Sequence, residues 1–245
     1  MNATNPSADA DRPVSLITGA GSGIGRAVAA RLATLGHRLV LVGRTGRKLE
    51  ETAAPLLAAG HGDVELLEAD VADPAQAHAC VDRAIERFGR LDAVVNAAGV
   101  APRATIERTD EELLDGCFRV NAFGPAFLMI RAFPHMKARK SGCVVNVSTL
   151  GTIDPFHGFF AYAASKAALD SFTRSLAREG KAAGIRAYVV NPGAVETPLL
   201  RSNFPANVIP PAKALPPEAI AEVIVDCIEG RRPERLGECV AIPSP

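Results

Sequence analysis

Near the start of the chain, the stretch Thr18-Gly19-Ala20-Gly21-Ser22-Gly23-Ile24-Gly25 joins a short apolar run, Val14–Thr18, to residues 24–35, which have helical apolar spacing. Glycines at such a junction let the backbone turn tightly and approach a pyrophosphate closely. The free amides at the start of the following helix then point at the anion. The stretch therefore predicts a strand–turn–helix unit that binds a dinucleotide.

Two other motifs do not fit this turn. A P-loop requires Gly-Lys followed by Ser or Thr, whereas Gly25 is followed by Arg26. A hydrolase elbow around Ser22 would require glycines two residues away on either side, where Ala20 and Ile24 stand. A plain glycine-rich turn is the remaining alternative. The position between an apolar run and a helix favours the dinucleotide site over it.

Beyond this turn, short apolar runs alternate with segments of helical spacing. The runs are continuous, which is typical of strands buried on both faces of a parallel sheet. Repeated strand–helix units imply right-handed crossovers, so the sequence predicts an α/β fold with a doubly wound, mostly parallel, Rossmann-like sheet covered by helices on both faces. The predicted strands are 14–18, 39–42, 64–67, 93–95, 144–147, 186–190 and 238–242, and the predicted helices are 24–35, 48–59, 75–88, one within 111–137, 162–178 and 217–229.

One domain is expected to span residues 14–245. Residues 1–13 are polar and acidic, and we expect a flexible N-terminal segment there. Residues 198–217 contain six prolines and are expected to form an excursion within the domain rather than a linker.

Composition excludes several classes of function. The 27 Lys and Arg residues balance the 27 Asp and Glu residues, so no basic field exists to attract nucleic acid or anionic lipid. No uncharged apolar run approaches the length that spans a membrane. Five scattered cysteines form no Cys-x-x-Cys pair, which argues against a disulfide framework or a metal site and favours free thiols in a reducing compartment. The polar start lacks the pattern of a signal peptide. We expect a cytoplasmic protein.

The end of the second predicted strand bears on the choice of dinucleotide. An acidic residue there would bind the ribose 2′-hydroxyl of NAD, whereas an arginine would accommodate the 2′-phosphate of NADP. This chain has no acidic residue there, and Arg44 offers a planar fork that suits phosphate oxygens. Alternatively, Arg44 and Arg47 are solvated loop charges. The sequence favours NADP, with NAD as the alternative.

Tyr162 and Lys166 are a candidate acid–base pair. They are four residues apart, so on a helix they share one face. A phenol with a pKa of about 10 is a poor base at neutral pH, and a nearby cation would stabilise the phenolate and lower that pKa. The spacing alone is common by chance, but the chain has only two tyrosines and also contains the glycine turn.

Together these motifs resemble those of the short-chain dehydrogenase/reductase family in its single-domain form, from Thr18 to about Thr197. The resemblance implies hydride transfer between a nicotinamide cofactor and a carbonyl or alcohol of a small, fairly apolar substrate. It also implies a homodimer or homotetramer. Tyr162 would be the acid or base, and Lys166 would lower its pKa and hold the cofactor ribose. Asn121 would kink its helix and connect Lys166 to solvent through water.

By the same resemblance, residues spread along the chain would contact the cofactor at its pyrophosphate, adenosine and nicotinamide ends. They are Gly19, Ser22, Gly23, Ile24, Gly25, Arg44, Thr45, Asp70, Val71, Asn96, Ala97, Gly99, Tyr162, Lys166, Pro192, Gly193, Val195 and Thr197.

The hydroxyl that would bind the substrate oxygen is ambiguous. The family usually has a serine 13 residues before the tyrosine, and that position is Thr149, with Ser148 just before it. Gly151 follows Thr149 by two residues, whereas the family more often shows a gap of three, so a loop shifted by one residue would favour Ser148. Both hydroxyls stay candidates, although neighbouring side chains of an extended strand point to opposite faces.

A non-catalytic dinucleotide-binding sensor on the same fold is the rival from another functional class. Such a protein would be expected to lack the tyrosine or the lysine. Both are present here, which favours an enzyme.

Overall fold

The computed structural model describes residues 11–232 and 236–245. Its strands are β1 (Val14–Thr18), β2 (Arg38–Gly43), β3 (Val64–Glu68), β4 (Ala93–Asn96), β5 (Gly142–Val147), β6 (Ile185–Pro192) and β7 (Cys239–Ile242). They form one seven-stranded sheet in the order β3-β2-β1-β4-β5-β6-β7. Every neighbouring pair is parallel. This confirms the predicted doubly wound α/β fold.

Helices cover both faces of the sheet. They are α1 (Gly23–Thr34), α2 (Gly46–Ala58), α3 (Pro74–Phe88), α4 (Glu111–Phe118), α5 (Gly124–Arg139), α6 (Phe160–Gly180), α7 (Pro198–Asn203) and α8 (Pro217–Ile228). Buried side chains of α1, α2 and α8 form one apolar core with the sheet, and those of α3, α5 and α6 form a second core on the other face.

Each strand contributes side chains to both cores, because successive side chains point to opposite faces of the sheet. Leu16 and Ile17 are adjacent in β1 and fully buried, but Leu16 belongs to the core under α3 and α5 and Ile17 to the core under α1. Because side chains of a strand point alternately to the two faces, a strand covered on both sides needs apolar residues at successive positions. Burial on both faces therefore explains the continuous apolar runs of the sequence.

A five-residue π-helical segment, Arg119–Phe123, joins α4 to α5. The resulting continuous helix, Glu111–Arg139, is long and apolar enough by composition to cross a membrane. Its apolar residues Leu128, Ala132 and Met136 are buried in the core of this domain. Core helices meet the same length and composition criterion, so this helix is accounted for by packing against the sheet.

Two regions differ from the sequence-based expectations. Most of the predicted flexible segment, residues 1–10, lies outside the described residues, but Arg12 at its end donates to the Gly36 carbonyl at 2.8 Å. The proline-rich loop contains the short helix α7, which the sequence did not indicate. Thr197 caps this helix by accepting a hydrogen bond from the Leu200 amide at 3.1 Å.

Candidate active site

Two adjoining cavities open at the carboxyl ends of β1 and β4, where the chain passes to opposite sides of the sheet. Such a switch point is where open α/β sheets bind ligands. The smaller cavity has a volume of ≈ 180 Å³ and the larger ≈ 550 Å³. Four residues line both cavities: Gly19, Ser22, Ala98 and Gly99.

The glycine turn forms the wall that the two cavities share. Gly19 has a φ of +65°, and a Cβ on it would lie 2.8 Å from the Ala98 amide nitrogen, so only glycine fits. A Cβ on Gly25 would meet the Gly19 carbonyl. Ser22 is the N-cap of α1, yet its side chain caps no amide within the described residues. The first amides of the helix are thus available to an anion.

The smaller cavity gathers the residues expected at the adenosine end of a cofactor. Arg44, Thr45, Asp70 and Val71 all line it, together with Lys48. Sequence reasoning missed Lys48 as a site residue. The available signal was its position in the first turn of α2, four residues after Arg44.

Arg47, although adjacent to these cations, takes no part in the smaller cavity. Its Nε donates to Glu51 at 3.0 Å along α2, and its side chain is 85% exposed. This difference separates Arg47, a solvated helix charge, from Arg44 and Lys48.

Tyr162 and Lys166 lie in the first two turns of α6 and both line the larger cavity. Lys166 is 4% exposed, and its Nζ donates to the Val147 carbonyl at the end of β5 at 2.7 Å. The spacing of four residues places both groups on one face of α6. That face borders the same cavity as the glycine turn.

The pKa of Tyr162 differs from the expectation. Burial raises it to about 12, while a hydrogen bond from Thr149 acts in the opposite direction. The same burial lowers the pKa of Lys166 to about 8. The predicted lowering of the tyrosine pKa is therefore wrong for this structure, because desolvation of the phenolate has the larger effect and the ammonium is directed at Val147.

The two candidate hydroxyls have different surroundings. Both Ser148 and Thr149 are buried at the edge of the larger cavity. Within the described residues, the Ser148 Oγ is buried and has no hydrogen-bond partner. The Thr149 Oγ1 accepts from the Gly151 amide at 3.1 Å and influences the pKa of Tyr162. The proton of the Thr149 hydroxyl is thus left to be donated elsewhere.

Asn121 lies in the π-helical segment and is fully buried. Its Oδ1 accepts from the Val100 amide at 2.9 Å, and its Nδ2 donates to the Val100 carbonyl at 2.8 Å and to Ser165 at 3.0 Å. The side chain therefore ties the helix irregularity to the loop that follows β4. The water relay to Lys166 stays a prediction.

Asn96 does not reach either cavity. It is 1% exposed, and its Nδ2 donates to the Asn146 Oδ1 at 2.7 Å, while Asn146 donates to Thr173 at 2.8 Å. The chain is instead brought to the cavities just after Asn96, where Ala97 and Gly99 line them. Asn96 thus joins β4 to β5 and α6 and lines neither cavity, and its contact with a cofactor stays a prediction.

The far wall of the larger cavity comes from the residues after β6. Pro192, Gly193, Val195 and Thr197 line it together with Ser22, Gly23 and Ile24 of the glycine turn, and a Cβ on Gly23 would lie 2.9 Å from Thr197 Cγ2. The remaining lining is mainly apolar. Its large apolar side chains are Phe156, Phe159, Leu199, Leu200, Phe204 and Ile209, and polar groups come from Asn203, Lys213 and Ser244.

Comparisons with known proteins agree with this fold. The family model described as short chain dehydrogenase matches residues 13–207, and the chain belongs to that family. It is 33% identical over 227 residues to a fatty acyl-CoA reductase of Acinetobacter baylyi, covering 91% of this chain and 75% of the relative.

Solved structures give the same result. Levodione reductase superposes with a TM-score of 0.88 at 32% identity, covering 94% of this chain and 95% of the other. A 3-ketoacyl-(acyl-carrier-protein) reductase from Brucella melitensis, in complex with NADH, superposes with a TM-score of 0.86 at 30% identity, covering 96% and 98%. The chain is thus an oxidoreductase of a family that acts on carbonyl and alcohol groups with a nicotinamide cofactor.

Proposed function

We propose that this protein is an NADP(H)-dependent oxidoreductase that interconverts a carbonyl and an alcohol on a small, fairly apolar substrate, with Tyr162 as the acid or base. The observation that carries the proposal is that Tyr162, Lys166 and the glycine turn at Gly19 line one cavity at the switch point of the sheet. An NAD-dependent enzyme of the same family is the alternative, and one structural relative was solved with NADH.

The cavity walls fit a dinucleotide. The backbone at Gly19 leaves a space that any Cβ would fill, and the amides at the start of α1 are available to a pyrophosphate. Asp70 and Val71 would hold the adenine, and Pro192, Gly193, Val195 and Thr197 the nicotinamide end. When bound, the cofactor supplies or accepts the hydride.

Preference for NADP rests on two cations. Arg44 and Lys48 line the smaller cavity, and neither has a carboxylate partner within residues 11–232 and 236–245. A 2′-phosphate would provide the anion that both lack. Gly43, at the position where an NAD-binding acid is expected, carries no side chain.

In reduction, Tyr162 would donate its phenolic proton to the substrate oxygen as the hydride arrives at the carbon. A pKa of about 12 keeps the phenol protonated at neutral pH, which suits this direction. Oxidation would require loss of that proton, which a protonated Lys166 and the hydroxyl of Thr149 would favour. In reduction, Thr149 would stabilise the developing charge on the substrate oxygen by donating a hydrogen bond.

Thr149 is the better candidate for this hydroxyl than Ser148. Thr149 lies near enough to Tyr162 to lower its pKa, whereas the Ser148 Oγ is inaccessible to solvent. One substrate oxygen would then be held between the phenol and the threonine hydroxyl.

The substrate would occupy the apolar part of the larger cavity. Phe159 contacts both Tyr162 and Phe204, with ring centroids 5.6 and 5.9 Å apart, so aromatic rings extend from the reacting groups toward residues 198–217. We infer that this segment covers the substrate. Apolar and aromatic walls favour a hydrocarbon or aromatic body next to the carbonyl.

Assembly into a dimer or tetramer would use the outer faces of α5 and α6. These helices expose Ile130 to 64% and Phe172 to 38%, and Phe123 before α5 is 39% exposed. Large apolar side chains exposed on adjoining helices are typical of subunit interfaces. The free thiols of the chain agree with assembly in the cytoplasm.

The test is a panel of aliphatic and aromatic ketones, aldehydes and secondary alcohols, assayed at 340 nm with NADPH or NADH for reduction and with the oxidised cofactors for the alcohols. The proposal expects turnover of apolar carbonyls with a higher kcat/KM for NADPH than for NADH. Tight NADPH binding without turnover of any compound in the panel would favour the non-catalytic sensor instead.

A further inference from the structure

Asp170 is a buried carboxylate of which only one oxygen has hydrogen-bond partners among the described residues. It lies on α6 four residues after Lys166 and is 4% exposed. Its Oδ2 accepts from the Asn191 Nδ2 at 3.1 Å and lies 3.8 Å from the Cys239 Sγ. Its Oδ1 is buried and has no partner within the described residues. Burying a charged group is costly unless it is paired and hydrogen-bonded.

Asn191, which donates to Asp170, also holds the turn that carries the candidate hydroxyl. Its Nδ2 donates to the Thr149 carbonyl at 3.0 Å and to the Thr152 Oγ1 at 3.2 Å. The orientation of this amide is fixed, because the Asp170 carboxylate and the Thr149 carbonyl are both acceptors and only the NH₂ group can face them. Asp170 therefore fixes Asn191, and Asn191 fixes the backbone of Thr149.

Asp170 also acts on the reacting groups through its charge. Lys166 is buried on the same face of α6, and the Asp170 carboxylate raises its pKa, opposing the larger effect of burial. It raises the pKa of Tyr162 in the same way. Other titratable groups act on the same cluster: the Cys117 thiol on α4 acts on Lys166 and Tyr162, and Asp170 and Arg174 on α6 act on the Cys239 thiol of β7.

We propose that Asp170 is a positioning residue of this active site, whose carboxylate is the buried counter-charge of Lys166 and, through Asn191, the anchor of the turn that presents Thr149. The proposal rests on the proposed function, since both targets belong to the proton-transfer machinery. It accounts for a carboxylate with one unpartnered oxygen inside the domain, four residues after a buried lysine on the same helix.

Asp170→Asn separates the charge from the hydrogen bond, because the carboxamide oxygen still accepts from Asn191. Removal of the negative charge lowers the pKa of both Tyr162 and Lys166. The limbs of the pH profile of kcat/KM should therefore move to lower pH by about one pH unit. Asp226→Asn is the matched control: it removes a carboxylate that pairs with Arg231 on the surface of α8, and the pH profile should not move.

Asn191→Ala tests the second part of the proposal, the anchoring of the Thr149 turn. It keeps the charge of Asp170 but releases the Thr149 turn, so kcat should fall about tenfold with an unchanged KM for NADPH and an unmoved pH profile. A purely structural role would lower stability in both variants but would leave the pH limbs of Asp170→Asn where they are. If the limbs of the pH profile do not move in a folded Asp170→Asn variant, the counter-charge is wrong. If Asn191→Ala keeps the wild-type kcat, the anchoring of the Thr149 turn is wrong.

A measurement without turnover keeps this inference separate from the proposed function. Trace acetic anhydride labelling over a pH series, with Lys166 quantified by mass spectrometry, reports the apparent pKa of that amine in the larger cavity. It should be lower by about one pH unit in Asp170→Asn and unchanged in Asp226→Asn. If the shift occurs in a protein that reduces no carbonyl, the proposed function is wrong and the counter-charge stands. If the wild-type enzyme is active and no shift occurs, the counter-charge alone is wrong.

Discussion

Replacing Gly43 with Asp and Arg44 with Ile in one variant is expected to turn the cofactor preference from NADPH toward NADH. The first change installs a carboxylate that accepts a hydrogen bond from a ribose hydroxyl, and the second removes a cation from the smaller cavity. The fold should tolerate both changes. A Cβ on Gly43 would lie 3.2 Å from the Leu49 Cδ2, the far end of a flexible side chain, and Arg44 is exposed.

The expected magnitude follows from the exposure of these groups. Arg44 and Lys48 lie at the surface, so each contact with a phosphate is partly screened and is expected to contribute about tenfold in affinity. Arg44→Ile alone should therefore raise the KM for NADPH about tenfold and leave that for NADH nearly unchanged. The added carboxylate repels a 2′-phosphate, so the double variant should change the ratio of kcat/KM values for the two cofactors by about a hundredfold.

The assay is initial-rate kinetics at 340 nm with each cofactor, at a fixed low ionic strength. Arg47→Ile is the matched control, because Arg47 is a nearby cation at the start of α2 that bonds to Glu51 and does not line the cavity. It should leave the KM for NADPH unchanged. The reasoning fails if Arg47→Ile weakens NADPH binding as much as Arg44→Ile, or if the unmodified protein already prefers NADH.

Further expectations concern the hydroxyl pair, pH and assembly. Thr149→Ala should lower kcat about a hundredfold, Thr149→Ser should retain much of the activity, and Ser148→Ala should have little effect; a larger loss in Ser148→Ala would contradict this assignment. Burial lowers the pKa of His37 below its ordinary value of 6.5, so its stabilising contribution is present above that pH and is lost as pH falls through the folded pKa. Thermal unfolding should accordingly show Tm falling below pH 6.5, and falling less steeply in His37→Gln. Light scattering at micromolar concentration should give a dimer or tetramer, which Ile130→Asp should weaken, whereas a monomeric wild-type protein would exclude this assembly.

The sequence predicts those features that depend on local pattern. The strands are recognisable because burial on both faces requires continuous apolar runs, as Leu16 and Ile17 illustrate. The glycine turn is recognisable because positive φ and close backbone approach at Gly19 exclude other residues. The helical face of Tyr162 and Lys166 follows from a spacing of four.

The features that sequence reasoning missed depend on contacts between distant segments. The sequence does not indicate the partner of the Asn96 side chain, because Asn146 is 50 residues away and lies on the neighbouring strand. The pKa of Tyr162 was expected to fall, but the depth of burial that raises it depends on how the surrounding segments pack. Asp170 gave no signal, since its partner Asn191 belongs to another element.

The central claim is that Tyr162 carries the proton while bound NADPH carries the hydride. It is tested most directly by comparing Tyr162→Phe with the wild-type protein, using NADPH fluorescence for binding and absorbance at 340 nm for turnover of a carbonyl substrate. The phenylalanine ring fills the same space without the hydroxyl, so the dissociation constant of NADPH should change little. Turnover should fall about 10²–10⁴-fold or more. A folded Tyr162→Phe variant with near-normal turnover would contradict the account.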